Sequence, residues 1–142
     1  MGGEMLLGAA DAYSEIEAMI ADGASRRCLA ELLVLPSERP LVRNWTARVM
    51  YAGVQLLSGA RPPRPLLAAM QAAPNTCFLF IAAGQKDLEV QFNQLFAQTL
   101  GERAILWVIE DVPHTGGLSH HSETYREQVL TFLDACVPAS RP

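Results

Sequence analysis

Cysteine is scarce: Cys28, Cys77 and Cys136 are odd in number, widely spaced and outside any CxxC pattern. That argues against a disulfide framework and against a cysteine-based zinc site, and fits reduced thiols in a cytoplasmic protein. Positive charge is also in short supply. Eleven Lys and Arg stand against 15 Asp and Glu, for a net charge of -4 and an isoelectric point near 5.3. A general nucleic-acid partner is not expected, because such proteins carry a basic excess to neutralise phosphates. No uninterrupted apolar stretch approaches the ~20 residues that span a bilayer, and no basic segment precedes an apolar run at the N-terminus. A membrane partner is therefore not expected. Internal repeats and low-complexity tracts are absent, which removes the solenoid and linker classes.

What is present suits a packed core. The 142 residues fit one domain spanning 1–142, half of them are hydrophobic and 18% are charged, with none of the bias of disordered chains. The basic residues that exist are concentrated. Arg26, Arg27, Arg39, Arg43, Arg48, Arg61 and Arg64 fall in one stretch whose acids are Glu31 and Glu38, so that segment carries a local positive field suited to anionic groups or to plain solvation.

Along the chain, helical and extended patterns alternate as an α/β fold requires. Gly3 to Ala10 is small and apolar, suited to a helix packed closely on a sheet, and Ile16 to Ala21 is a short strand ending at Asp22-Gly23. From Arg26 to Ala73 helical segments are broken by Pro36, Pro40 and the RPPRP run at Arg61 to Pro65, an inserted helical region. Within it Leu41 to Leu57 places Val42, Trp45, Val49, Gly53, Leu56 and Leu57 on one side. Cys77 to Ala83 is a continuous apolar run of the kind that forms a parallel strand covered on both faces. Leu88 to Leu100 predicts a helix capped by Gly101, Ala104 to Ile109 a second buried strand, and Ser122 to Val137 a closing amphipathic helix with Ser122 and Glu123 at its start.

Two loops follow the two best strands, and ligands gather at the carboxyl ends of strands in open parallel sheets. The first loop begins Gly84-Gln85-Lys86-Asp87-Leu88-Glu89. The second runs Asp111-Val112-Pro113-His114-Thr115-Gly116-Gly117. A carboxylate and an imidazole brought to one sheet edge can act together, the carboxylate fixing the tautomer and the imidazole moving a proton. Asp87 is the first choice of acid and Glu89 the alternative, while a helix-dipole role for Asp87 and a plain loop role for His114 stand beside them. His114, His120, His121 and Asp111 raise the question of a metal, but His114 has no ligand partner at helical spacing, so none is expected.

The order of strand, GxxD, helix, strand, proline-histidine loop and terminal helix with Tyr125, Leu130, Phe132, Leu133 and Asp134 resembles the final third of an α/β-hydrolase. The opening Met1-Gly2-Gly3-Glu4 is similar to the end of that family's nucleophile elbow, GxSMGGE. The resemblance implies a partial α/β-hydrolase fold of about three parallel strands with flanking helices, the region at about 26–73 being its helical lid. It implies His114 as general base and acid, Asp87 or Glu89 as orienting acid, and the Met1 backbone N–H as an oxyanion donor. The nucleophilic serine would lie one residue before Met1, and Ser14, Ser25, Ser37, Ser58, Ser119 and Ser122 lack an elbow setting. The parent would be a serine hydrolase of small acyl substrates carrying a hydrophobic group, needing no cofactor, and this chain would be inactive alone. The alternative is a non-catalytic module kept from that fold. Its sheet edge beside Ile16 to Ala21 would be uncovered, so it would self-associate or bind a partner.

Overall fold

In the computed structural model, residues 2–34 and 40–137 are described, without the side chains of 40–44. Met1, Pro36, Ser37, Glu38 and Arg39 therefore lie outside the described residues, as do the side chains of Val42 and Arg43. The elements run α1 (Gly2–Leu7), β1 (Ala18–Asp22), α2 (Leu29–Leu32), α3 (Pro40–Ser58), α4 (Leu66–Gln71), β2 (Cys77–Ala83), α5 (Asp87–Leu100), β3 (Ala104–Ile109), α6 (Gly117–His120) and α7 (Ser122–Cys136), with short 3-10 turns after α1 and α5. The chain is of α/β class.

The strands form one parallel three-stranded sheet in the order β1-β2-β3. Ala18 to Asp22 pair with Cys77 to Ile81, and Phe78 to Ala83 pair with Ala104 to Ile109. β2 is central and hence covered on both faces. Its residues from Phe78 to Ala83 are all buried, which is why its sequence is continuously apolar and not alternating. The even residues Phe78 and Phe80 point to one face, where they stack at 6.1 Å between centroids within a core that also holds Leu7, Met70, Phe92 and Phe96 from α1, α4 and α5. The odd residues Leu79 and Ile81 point to the other face, against Phe132, Val129 and Tyr125 of α7. Helices thus cover both faces of the sheet.

Local chemistry explains the boundaries. α1 packs closely on the segment after β1, because a Cβ on Gly3 would sit 3.1 Å from that of Ala24. It ends at Leu7, three residues short of the expected Ala10, where the chain turns into a 3-10 segment at Ala10–Ala12. β1 starts at Ala18 and not Ile16, since the Ile16 carbonyl is taken by the Thr76 hydroxyl at 2.7 Å. α5 stops at Gly101, whose φ of +63° is one that glycine adopts without strain.

Between β1 and β2 the helical segments are α2, α3 and α4. Glu31 organises them. Its buried carboxylate accepts from the backbone N–H groups of Arg27 (2.8 Å) and Cys28 (3.1 Å) and from Leu66 N–H at the start of α4, so one side chain ties two helix N-termini together. α3 behaves differently from its periodicity. Trp45, Val49, Leu56 and Leu57, which its spacing places on one side, are 69%, 55%, 86% and 90% exposed. No helix among the described residues is long and apolar enough to cross a membrane.

Candidate functional site

The carboxyl ends of β1, β2 and β3 converge on one cleft of about 240 Å³, lined by Glu4, Gly23, Ser25, Lys86, Leu88, Glu89 and His114. Adjacent strand ends make the convergence possible. Gly84, just past β2, donates its N–H to the Ile109 carbonyl at 2.8 Å, and a Cβ there would meet Glu110 Cα at 2.5 Å. Only glycine permits this approach, which holds the two catalytic-candidate loops side by side.

His114 Nδ1 lies 2.7 Å from Glu89 Oε2. The other oxygen, Oε1, accepts the Ala83 backbone N–H at 2.7 Å. Glu89 is 5% exposed, whereas the imidazole is 51% exposed, so the acid is buried behind the histidine and the ring faces the cleft. Asp87 is not brought to His114. It is the exposed first residue of α5, and Glu89, two residues on, points about 200° away around the helix, back over the strand ends. A carboxylate at the helix N-terminus also meets the favourable end of the dipole.

The loop under His114 is tightly shaped. Gly116 donates to the Pro113 carbonyl at 2.9 Å, the Thr115 hydroxyl to the His114 carbonyl at 2.7 Å, and Thr115 has a φ of +56°. That left-handed conformation is costly for a β-branched residue. It turns the chain sharply so that the ring lies over Gly23, whose φ is +74° and where a Cβ would be 2.5 Å from His114 Cε1 and 2.9 Å from Nδ1. Gly23 is thus part of the site, a role its place in an Asp-Gly turn did not disclose.

Two further acids and a tyrosine adjoin the pair. Tyr125 of α7 donates its hydroxyl to Asp22 Oδ2 at 3.1 Å. Burial, reinforced by the nearby Glu89 carboxylate, raises the Asp22 pKa despite the opposing Tyr125 hydrogen bond and the His114 imidazole. The Tyr125 hydroxyl is pushed up to about 12, first by burial and then by Asp22. Glu4 Oε1 accepts the Ser25 backbone N–H at 3.2 Å. Asn93, fully buried on α5, donates to both the Ala24 carbonyl and the Glu89 carbonyl at 2.7 Å and so fixes the loop after β1 against the helix that carries Glu89.

His121 takes no part in the cleft. Its Nε2 is 2.9 Å from Asp111 Oδ1, and that hydrogen bond is the first cause holding the Asp111 carboxyl below its ordinary value. Among the described residues no three of His, Cys, Asp and Glu are grouped to hold a metal. The arrangement at His114 can hold an imidazole in one orientation through Nδ1, leaving Nε2 outside that hydrogen bond and so able to take and return a proton. No family model, curated protein or solved structure matches the chain.

Proposed function

We propose that the chain carries the histidine and acid of a hydrolytic site of the α/β-hydrolase kind, for ester, amide or related acyl bonds. The carrying observation is the 2.7 Å pairing of His114 Nδ1 with buried Glu89 at the carboxyl edge of a parallel sheet. In this reading Glu89 is the orienting acid in preference to Asp87, His114 is the general base and then acid, and the helical region at about 26–73 is the lid. Among the described residues no serine is hydrogen-bonded to His114, and this reading leaves the nucleophile unassigned. Ser25 lines the cleft but follows β1 without a strand-turn-helix elbow, the setting that exposes a nucleophile in this fold.

The isolated chain is accordingly expected to show no ester turnover above that of free imidazole, measured with a chromogenic short-chain acyl ester. Turnover abolished by His114→Ala would show instead that a nucleophile is already present.

One observation favours a second reading, a non-catalytic interaction module derived from the same fold. The apolar stripe of α3 is exposed from Trp45 to Leu57, an area that proteins normally cover. Size-exclusion chromatography and a thermal melt separate the two. A stable, discrete oligomer or monomer with one cooperative transition supports the module, and polydisperse aggregation counts against it.

A further inference from the structure

Away from the His114 cleft, two cysteines remote in sequence meet. Cys77 opens β2 and Cys136 closes α7. Both are half-buried and unbridged, and both pack on the apolar cluster of Leu79, Ile81 and Phe132 that joins α7 to the sheet. Their thiols interact directly: the Cys136 thiol is pushed up to about 12, by burial first and then by its hydrogen bond and charge interaction with Cys77. Cys28, by contrast, is buried beside Glu31 on the other side of the molecule.

Cysteines that interact from a strand end and a helix end, both packed on one apolar cluster, offer the two sulfurs that a disulfide joins. We propose that Cys77 and Cys136 are an oxidative modification site, closing into a disulfide that clasps the end of α7 to the start of the central strand. The Cys77 sulfur, as its proton leaves, is the first to attack. It attacks one sulfur of a small-molecule disulfide such as oxidised glutathione, forming a mixed disulfide and expelling one glutathione thiolate. The Cys136 sulfur then attacks the Cys77 sulfur as its proton leaves, and the second glutathione thiolate departs and takes up a proton. In net terms two protein thiols are oxidised and one small disulfide is reduced to two thiols.

The closed loop would enclose α5 and β3, and with them Glu89 and His114. It would also hold α7, which supplies Tyr125 to Asp22. Such a bond acts mainly by restricting the unfolded chain, and the loop here is long. The proposal does not depend on the hydrolytic reading.

The test is peptide mapping after incubation of the chain with excess oxidised glutathione and an acid quench. Trypsin cleaves after Lys86, Arg103 and Arg126, all between the two cysteines. The expected result is one peptide pair linked through Cys77 and Cys136, one remaining titratable thiol in the denatured protein, and a melting temperature raised by on the order of 10 °C that reverts on reduction. Cys28→Ala should behave as the wild type, and Cys77→Ser and Cys136→Ser should lose the shift. Stable glutathione adducts, cross-linked dimers or three free thiols in the treated wild type would each overturn the proposal, whether or not the serine variants fold.

Discussion

At the scale of single residues, Glu89 and Asp87 make a controlled comparison because they share a helix turn and differ in direction. Glu89→Ala removes the acceptor of the buried Ala83 N–H and the partner of His114 together. A loss of about 2–4 kcal/mol in urea unfolding is expected, most of it from the orphaned backbone donor. Asp87→Asn, on an exposed side chain, is expected to stay within about 0.5 kcal/mol of wild type. Equal effects would mean that Glu89 is not held as described. Gly23 offers a sharper probe, since Gly23→Ala forces a Cβ into the imidazole at an unfavourable φ. A cost of about 1–3 kcal/mol is expected, with the His114 ring resonances displaced in NMR spectra. Asp22 sets a pH dependence. Its folded pKa is raised, so its contribution is fully present below the unfolded value, about 3.9, and is lost as pH rises through the folded value. Asp22→Asn should therefore gain stability relative to wild type between about pH 3 and pH 7, by less than about 1 kcal/mol after solvent screening. A relative loss over that range, in urea melts at the two pH values, would reverse the assigned direction.

At the scale of elements, legibility followed the apolar runs. β2 and β3 could be read to the residue, because each is an unbroken apolar run with polar or glycine ends, but the run overstated the burial of β3: as an edge strand it is mostly half-buried, with Ile105 exposed, whereas central β2 is covered on both faces. The placement of His114 at the sheet edge was legible for a related reason, since it stands in a proline-histidine loop just past such a strand. Which carboxylate meets it was harder to read. The choice between Asp87 and Glu89 turns on where α5 begins, and a shift of two positions reverses which carboxylate faces the sheet. Gly23, Asp22 and Tyr125 left no mark as a group, since they come together only through the packing of α7 on β1 and β2. α3 shows the limit from the other side. Its stripe has the periodicity of a buried face, yet periodicity records only that apolar residues align, not that anything within the described residues covers them. Leu56→Gln with Leu57→Gln is therefore expected to change unfolding stability by less than about 0.5 kcal/mol and to lower concentration-dependent association in light scattering. A large destabilisation would place these side chains in a core.

At the scale of the whole molecule, the sheet's asymmetry governs behaviour. β2 has neighbours on both sides, β3 leads to the loop that carries His114, and β1 pairs with β2 alone among the described strands. Cys77 N–H donates to the Glu17 carbonyl at 2.8 Å and Gly23 N–H to Ile81 at 3.0 Å, which sets the phase of the ladder. Odd-numbered amides of β1 point inward to β2, and those of Ala18, Ile20 and Asp22 point outward. An outward row is a template for another strand, whether from more of the same fold or from a second copy. Hydrogen exchange followed by NMR on dilute protein is therefore expected to alternate, slow at Met19 and Ala21 and fast at Ala18 and Ile20. Raising the concentration, or adding a segment that supplies a neighbouring strand, should slow the fast set selectively while leaving the β2 amides as they were. Uniform protection along β1 in the dilute monomer would mean that its edge is already covered, and the expectation that this edge recruits a partner would fall with it.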